Sequence, residues 1–295
     1  MKKGIFFAIL AYTLWGFFPI YFKALHGVPA FQIMAHRVVW SFIFLLLFFL
    51  IQKNVRGFIT AFNRRTVMIY LAAGSLLAVN WLTYVWAVNV GRVVESSLGY
   101  FINPLVSVSL GVIFLRERLR TLQWLPVGLA AAGVAYLTLN YGQLPWVALV
   151  LATTFGFYGL LKKIAPLGPR KGLTMETALV FLPAFGYLLF AELRGEGAFL
   201  HIGGQTSGLL VLSGIVTAIP LLLFAAGAQR VPLTTVGLLQ FIAPTIQFLI
   251  GVFLFNEPFS QVGMVGFSLI WLALIVFSVE GLFNNRTHLE PRPVP

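Results

Sequence analysis

Residues 101–117 read FINPLVSVSLGVIFLRE, and residues 241–257 read FIAPTIQFLIGVFLFNE. The two stretches are identical at six positions, and each match is separated by 140 residues. The same offset connects Gly74 with Gly214. It also connects two groups further towards the start of each copy: Thr13, Gly16, Phe17 and Lys23 with Thr153, Gly156, Phe157 and Lys163. Separate matches that share one offset indicate that one structural unit is used twice.

The composition indicates that this repeated unit is embedded in a lipid bilayer. Of the 295 residues, 59% are hydrophobic and 9% are charged, whereas about 25% of the residues in a soluble domain are charged. Apolar runs predict ten helices of about 20 residues, the length that crosses a hydrocarbon core of about 30 Å. They fall near 4–25, 33–52, 68–90, 95–115, 122–140, 145–163, 176–194, 208–228, 234–256 and 262–282. The absence of cysteine excludes disulfides and thiolate metal sites.

Five helices in each copy place the second copy upside down relative to the first, because an odd number of spans ends on the opposite side. The predicted fold is an all-α membrane protein of ten transmembrane helices in two inverted five-helix repeats, 1–142 and 143–283, with a cytoplasmic tail at 284–295. With both chain ends in the cytoplasm, 16 of the 20 Lys and Arg residues face inward and three face outward. This asymmetry explains the net charge of +12 and argues against nucleic-acid binding.

A polar stripe on the predicted fourth helix is the first candidate for a binding site. Its members share one helix face because their spacing is four, three and four residues: Ser96, Tyr100, Asn103 and Ser107. The repeat places the same face of the ninth helix at Val236, Gln240, Ala243 and Gln247. Pro104 and Pro244 lie beside the two stripes, where each is expected to kink its helix and free a carbonyl group. The stripes are expected to line a central aqueous cavity, with hydrogen bonding between helices as the alternative.

Aromatic and amide side chains on other helices are expected to complete this cavity. Asn80 and Tyr84 lie one turn apart on the third helix, and Tyr12 is a further candidate on the first. Rings with polar edges can both stack on an organic solute and hydrogen-bond to it. The predicted substrate-binding residues are Trp15, Arg37, Asn80, Trp81, Tyr84, Tyr100, Asn103, Tyr158 and Gln240.

Ionisable residues in the helices are candidates for gates. Arg37 lies one turn inside the predicted second helix, and an arginine at a helix centre costs roughly 2.5–3.5 kcal/mol unless its side chain extends to the membrane surface. We hypothesise that Arg37 and Glu95 form an outer gate, with His36 as a pH-sensitive neighbour. Glu176 takes the position of His36 in the inverted copy, beside a cytoplasmic lysine cluster. It is a candidate for an inner gate, or it complements the dipole in the first turn of its helix.

The same residues bear on energy coupling. A proton relay would have to use His36, Glu95 or Glu176, whereas exchange with a counter-substrate or uniport would need no relay. The chain contains no Asp and no nucleotide-binding loop, which excludes ATP hydrolysis within it. No metal and no cofactor are expected. Glu117 and Glu257 end the fourth and ninth helices and are interpreted as structural terminators at the membrane boundary.

Several motifs resemble those of the EamA-type drug/metabolite transporters, and in particular their RarD branch. They are AHRVVWS at 35–41, NWLTYVWAVN at 80–89, ESSLGYFINPL at 95–105, QFIAP at 240–244 and NEP at 256–258. The similarity covers about residues 4–283. It implies an inner-membrane carrier that moves small metabolites or drugs, with export as the expected direction.

Together these features predict a secondary transporter of the bacterial inner membrane that works by alternating access and is not an enzyme. The expected partners are a small-molecule substrate, the lipid bilayer and a proton or counter-substrate, and no obligate protein partner is implied. A facilitative pore and a membrane-embedded enzyme are the alternatives, although four scattered His residues and no Asp provide few converging catalytic groups. Saturable flux that is accelerated by counterflow would distinguish a carrier from a pore.

Overall fold

A computed structural model describes residues 2–51, 63–90, 92–142, 144–256 and 261–287. The regular secondary structure in these ranges is helical, and no strand forms in them. The α-helices are α1 Lys2–Gly16, α2 Phe18–Lys23, α3 Ala30–Ile51, α4 Arg64–Asn89, α5 Val93–Phe114, α6 Trp124–Tyr141, α7 Trp146–Ile164, α8 Pro169–Leu193, α9 Gly204–Ala228, α10 Leu233–Leu239, α11 Ile242–Leu249 and α12 Gln261–Thr287. A 3₁₀ turn at Thr121–Gln123 precedes α6, and a π-helical segment at Ile250–Leu254 follows α11.

Nine segments of the described ranges are long and apolar enough to cross a membrane. One of them combines α1 with α2, and another combines α10, α11 and the π-helical segment. For the remaining predicted span, α5, the described side chains form a shorter apolar helix, Leu98–Phe114. The described chain is thus that of a multi-pass membrane protein, and the tenth span stays a prediction.

Two helices begin earlier than hydropathy predicts. α3 starts at Ala30 instead of near residue 33, and α8 starts at Pro169 instead of near 176. Hydropathy detects only the apolar part of a helix, whereas Pro169 is a favourable first helical residue and the helix continues through the polar residues that follow it. As a result, Arg37 and Glu176 each lie about two turns inside their helices.

The first predicted span is interrupted between α1 and α2. In a continuous helix the carbonyl of Trp15 would accept a hydrogen bond from residue 19, but Pro19 has no N–H. α1 therefore ends just after Trp15. The side chain of Gln247 replaces the missing donor, because its Nε2 donates to the Trp15 carbonyl oxygen at 3.1 Å. This bond joins the break in the first span to α11 in the second half of the chain.

The two repeated prolines act differently in the two halves. α5 continues through Pro104 as one helix. The equivalent span is interrupted just before Pro244, where Gln240 and Phe241 form a turn between α10 and α11. Because Pro244 cannot donate to the carbonyl of Gln240, that oxygen instead accepts from the backbone N–H of Ala243 at 3.3 Å.

The helices pack so that elements of the two halves alternate. α5 lies against α7 and α10, α3 lies against α8 and α9, and α1 lies against α9. The peripheral pair of α6 and α12 approaches closely at Gly133 and Gly266. Between these layers a buried aromatic core forms around Tyr12, Tyr158 and Phe224.

Candidate functional site

A central cavity of about 220 Å³ lies among α1, α2, α3, α4, α5, α7, α9 and the turn from α10 to α11. All the predicted substrate-binding residues except Tyr158 line it: Trp15, Arg37, Asn80, Trp81, Tyr84, Tyr100, Asn103 and Gln240. Tyr12 and Gln247 line it as well, as does Pro244. The structure thus brings together groups that are separated by up to 235 residues in the chain, and both halves contribute to the wall.

Arg37 points into this cavity. Its Nε donates a hydrogen bond to Thr217 Oγ1 at 2.8 Å. The guanidinium carbon lies 4.4 Å from the centre of the Trp81 ring and within cation–π range of Phe22 and Phe18, at 5.2 and 5.7 Å. The alternative in which this side chain extends along its helix to the membrane surface is therefore wrong, because the guanidinium is held inside the protein by rings from α2 and α4.

Within the part of the chain that the structure describes, two polar atoms of residues in the cavity wall lack a hydrogen-bond partner. The hydroxyl of Tyr12 and Oδ1 of Asn103 are buried and have no hydrogen-bond partner among the described residues. Asn80 is different, because its Nδ2 already donates to the carbonyl of Leu151 at 2.8 Å and to Thr154 Oγ1 at 2.9 Å. Buried polar groups are rarely left without partners, so these two atoms are polar groups that the described part of the protein leaves unsatisfied beside the cavity.

Aromatic rings make up most of the remaining wall. Tyr84 and Tyr100 meet edge to face, with ring centres 6.0 Å apart. Trp15 lies 5.8 Å from Phe155 and 5.6 Å from Phe224. These rings offer flat apolar surfaces to an organic solute.

Tyr158 belongs to a second group, which we call the inner cluster and which consists of Tyr70, Tyr158, Lys162 and Glu176. Lys162 Nζ lies 2.6 Å from Glu176 Oε1, and the two side chains are 1% and 2% exposed. The hydroxyl of Tyr158 donates to Glu176 Oε2 at 3.3 Å. The Lys162 ammonium also lies 5.5 Å from the ring centres of Tyr70 and Tyr158. The interpretation of Glu176 as a first-turn dipole residue is wrong, because α8 begins seven residues before it.

Two neighbouring contacts hold the chain around the inner cluster. The hydroxyl of Tyr70 donates to the carbonyl of Leu167 at 3.2 Å and accepts from its N–H at 3.1 Å. The carboxylate of Glu117 accepts the backbone N–H groups of Leu233 and Thr234 at 2.6 and 2.9 Å. Glu117 therefore caps the first turn of α10, in the other half of the chain, as well as following the end of α5.

The predicted outer gate is only partly described. The side chain of Glu95 lies outside the described residues, and so does Glu257, so the pairing of Arg37 with Glu95 stays a prediction. His36 is buried but does not line the central cavity. Its ring packs on Phe199, with the ring centres 5.4 Å apart.

Sequence reasoning missed several residues that hold Arg37 or line the central cavity. Thr217 holds the Arg37 guanidinium, but a single threonine in an apolar helix follows no pattern that would have marked it. Phe18, Phe22 and Phe155 also line the cavity, and in a chain with 29 phenylalanines their positions carry no signal.

A further cavity of about 320 Å³, which we call the side cavity, lies among α3, α4, α8 and α9. Its wall is mostly hydrocarbon, with Glu176 and Thr177 contributing polar groups. Leu77, Trp81 and Leu221 line both cavities, so Trp81 separates the aromatic central cavity from the apolar side cavity. The sequence did not predict this second space.

The family of the chain follows from its relatives. The model of the EamA-like transporter family matches residues 2–139. The uncharacterized transporter YojE of Bacillus subtilis (strain 168) is 46% identical over 284 residues, which cover 94% of each chain. Protein RarD of Streptomyces exfoliatus is 44% identical over 288 residues, or 97% of this chain and 91% of that protein. The chain belongs to the RarD branch of the EamA-like transporter family. Protein RarD of Escherichia coli (strain K12) is 40% identical over 289 residues, with 97% of each chain covered.

A solved structure agrees with this fold. A crystal structure covers 92% of the present RarD-branch chain with a TM-score of 0.70, and 96% of that crystallised chain is matched. The two sequences are 18% identical, so the likeness concerns the fold alone. Family membership and the apolar helices identify the protein as a multi-pass transporter of the inner membrane. The names of its relatives are those of transporters and not of enzymes.

Proposed function

We propose that this RarD-branch protein is a secondary carrier that moves a small organic solute by alternating access. The observation that carries the proposal is the central cavity, whose wall combines aromatic rings, amide groups and one guanidinium from both halves of the chain. Such a mixture of apolar surface with a few polar groups is typical of sites for small organic molecules.

The contacts between the halves support two inverted repeats, 1–142 and 143–283. A Cβ atom placed on Gly16 would lie 2.7 Å from Ile246 Cβ, and one placed on Gly156 would lie 2.6 Å from Val106 Cγ1. The 140-residue offset relates Gly16 to Gly156 and Val106 to Ile246, so the second contact is the first one with the two halves exchanged. A second set repeats the relation: Gly74 with Val180, and Gly214 with Trp40. A two-fold axis between the halves produces this exchange, and with five spans per half the axis lies in the membrane plane.

In the proposed orientation, with both chain ends in the cytoplasm, the central cavity occupies the outer half of the protein. The inner cluster then lies on the cytoplasmic side of the cavity and closes it. We interpret this arrangement as an outward-facing state. Transport in either direction requires the inner cluster to open, and export is the direction that the family resemblance implies.

We assign the inner gate to Lys162 and Glu176. Breaking a buried ion pair by removing one partner costs about 3–5 kcal/mol, since the other charge is left buried. The pair therefore stabilises the closed cytoplasmic side. Protonation of Glu176 would remove one of the two charges and provide a route for proton coupling, whereas solute exchange could proceed with the pair carried through the transition intact.

Counterflow in liposomes tests the carrier proposal. Purified protein is first screened against a metabolite library by thermal shift, and ligands that stabilise the wild type but not an Asn103→Ala variant are chosen. A carrier should take up labelled ligand with saturation, and faster when the liposomes hold the unlabelled compound. His201→Gln, which alters a polar group outside both cavities, is the matched control and should transport normally. Flux that rises linearly with concentration and ignores internal ligand would indicate a pore and overturn the proposal.

A further inference from the structure

We infer that the transported solute carries an oxyanion, such as a carboxylate, and that this group binds to the guanidinium of Arg37 while its apolar part lies against Trp15 and Trp81. The inference rests on the proposed carrier function and names a substrate class for the same cavity.

The charge of the cavity wall is the first observation. Among the described residues that line the central cavity, Arg37 is charged and no Asp or Glu occurs. Within the described ranges no carboxylate pairs with Arg37, whereas Glu176 pairs with Lys162 and Glu280 pairs with Arg120. A cation held in a low-dielectric wall by neutral groups attracts an anion much more strongly than the same cation would in water. A positively charged solute would meet repulsion there.

The free donors of Arg37 are the second observation. A guanidinium has five N–H groups, and the bond to Thr217 uses the one on Nε. The four N–H groups on the two terminal nitrogens find no acceptor among the described residues. A carboxylate accepts two parallel N–H bonds from this edge of a guanidinium, and such charge-assisted bidentate pairs are both strong and geometrically specific.

The position of the guanidinium is the third observation. Thr217 and the rings of Phe18, Phe22 and Trp81 hold it from several sides, so little side-chain freedom is lost when an anion binds. The same Trp81 ring continues into the cavity wall, where Trp15 also lies. A solute whose oxyanion meets Arg37 therefore brings its apolar part against aromatic surface without a further change in the protein.

A set of probes with one carbon skeleton and different charges tests the inference. Binding of 3-phenylpropionate, 3-phenylpropanamide and 3-phenylpropylamine to the purified full chain is measured by calorimetry in detergent. The wild type should bind the anion at least tenfold more tightly than the amide, and bind the amine least. Arg37→Gln should abolish the preference for the anion, and Arg37→Lys should keep part of it because a lysine supplies charge without the paired donors.

A matched control separates this site from the overall charge of the protein. Arg194 also stacks on an aromatic ring, at 4.4 Å from Phe190, but lies exposed outside both cavities. Arg194→Gln removes the same charge and should leave the preference for the anion unchanged. If Arg37→Gln does not fold, a protection experiment on the wild type, in which ligands shield Arg37 from chemical modification, replaces the variant. The anion, and not the amide, should then slow the modification of Arg37 by phenylglyoxal, as followed by peptide mass spectrometry.

The outcomes separate this inference from the carrier proposal. The oxyanion site would be overturned if the wild type bound the amide or the amine as tightly as the anion or more tightly, or if it did not bind the anion at all. The carrier proposal would survive that result if a neutral or cationic solute still showed counterflow. Conversely, anion binding that depends on Arg37 together with non-saturable flux would support the site and overturn the carrier. An unchanged anion preference in Arg37→Gln would also overturn the site.

Discussion

Arg37 and Glu176 are two charges that lie about two turns inside helices α3 and α8, which the repeat makes equivalent. Their surroundings differ in a way that separates two roles. Glu176 has a cationic partner at 2.6 Å in Lys162, so its charge is neutralised within the protein. Among the described residues, Arg37 is held by Thr217 and by aromatic rings, which fix its position and carry no charge. The first arrangement suits a gate, and the second suits a binding site.

Removal of the Lys162 charge is the prediction that belongs to this scale. Lys162→Met should lower the stability of the protein by about 3–5 kcal/mol, because Glu176 is left buried and unpaired. The double variant Lys162→Met/Glu176→Leu should recover most of this loss, because it leaves no buried charge. Thermal unfolding of the purified protein in detergent measures both effects.

A second ion pair provides the control for this measurement. Arg120 contacts Glu280 at 2.8 Å, with the two side chains 48% and 8% exposed, and an ion pair with one partner in water contributes less than a fully buried one. Arg120→Met should therefore change the unfolding temperature much less than Lys162→Met. Equal effects at the two positions, or a double variant no more stable than the single one, would contradict the assignment of the inner pair.

At the scale of the elements, the interruption between α1 and α2 connects the halves. Pro19 leaves the Trp15 carbonyl without its helical donor, and Gln247 on α11 supplies another. Gln247, which the repeat predicted to line the cavity, therefore also stabilises the break in the first span. The broken span gains a fixed contact beside the cavity, and the position of α2, which carries Phe18 and Phe22, depends on that contact.

Restoring the donor at position 19 tests this account. Gln247→Leu should destabilise the protein by about 1 kcal/mol or more, because a part-buried carbonyl loses its hydrogen-bond donor. Adding Pro19→Ala should reverse most of that effect, since alanine supplies a backbone N–H to the Trp15 carbonyl. Thermal unfolding of the four members of this double-mutant cycle gives the coupling between the two positions. Additive effects would show that Gln247 and the proline break are independent.

At the scale of the whole molecule, the distribution of basic residues predicts both chain ends in the cytoplasm. Fusions of green fluorescent protein and of alkaline phosphatase to the C-terminus measure this in a bacterial inner membrane. The fluorescent fusion should be bright and the phosphatase fusion inactive, because the former folds in the cytoplasm and the latter needs the periplasm. A phosphatase fusion at residue 197, in the segment between α8 and α9, should be active. The opposite result would reverse the assignment of inner and outer gates.

The proposed inverted repeat predicts that the two ends of the protein move reciprocally. The chain has no native cysteine, so pairs of spin labels can be attached at introduced cysteines without labelling any other position. Labels at Leu167→Cys and Arg230→Cys report on the inner end, and labels at Lys23→Cys and Arg194→Cys report on the outer end. Adding Lys162→Met should lengthen the inner distance and shorten the outer one, as measured by double electron–electron resonance. A change at one end alone would contradict alternating access.

Much of the central cavity was predictable because its signals are local. The spacing of Tyr100 and Asn103 places them on one helix face, and the repeat transfers that face to Gln240. The helix starts were less predictable, because hydropathy reports the solvent around a helix rather than its hydrogen bonds. This difference moved Arg37 and Glu176 deeper than expected. The role of Thr217 could not be predicted from the sequence, because it depends on Arg37 from another helix lying opposite.

The order of residues alone determined the family, the membrane environment and the two copies, because these depend on composition, apolar run length and a constant offset. Tertiary structure decided how the charges are used. Tyr158 and Lys162 meet Glu176 in the inner cluster, and Arg37 instead meets Thr217 and aromatic rings. Partners of a buried charge come from other helices, and their approach depends on packing across the whole bundle, which no pattern within a single helix encodes.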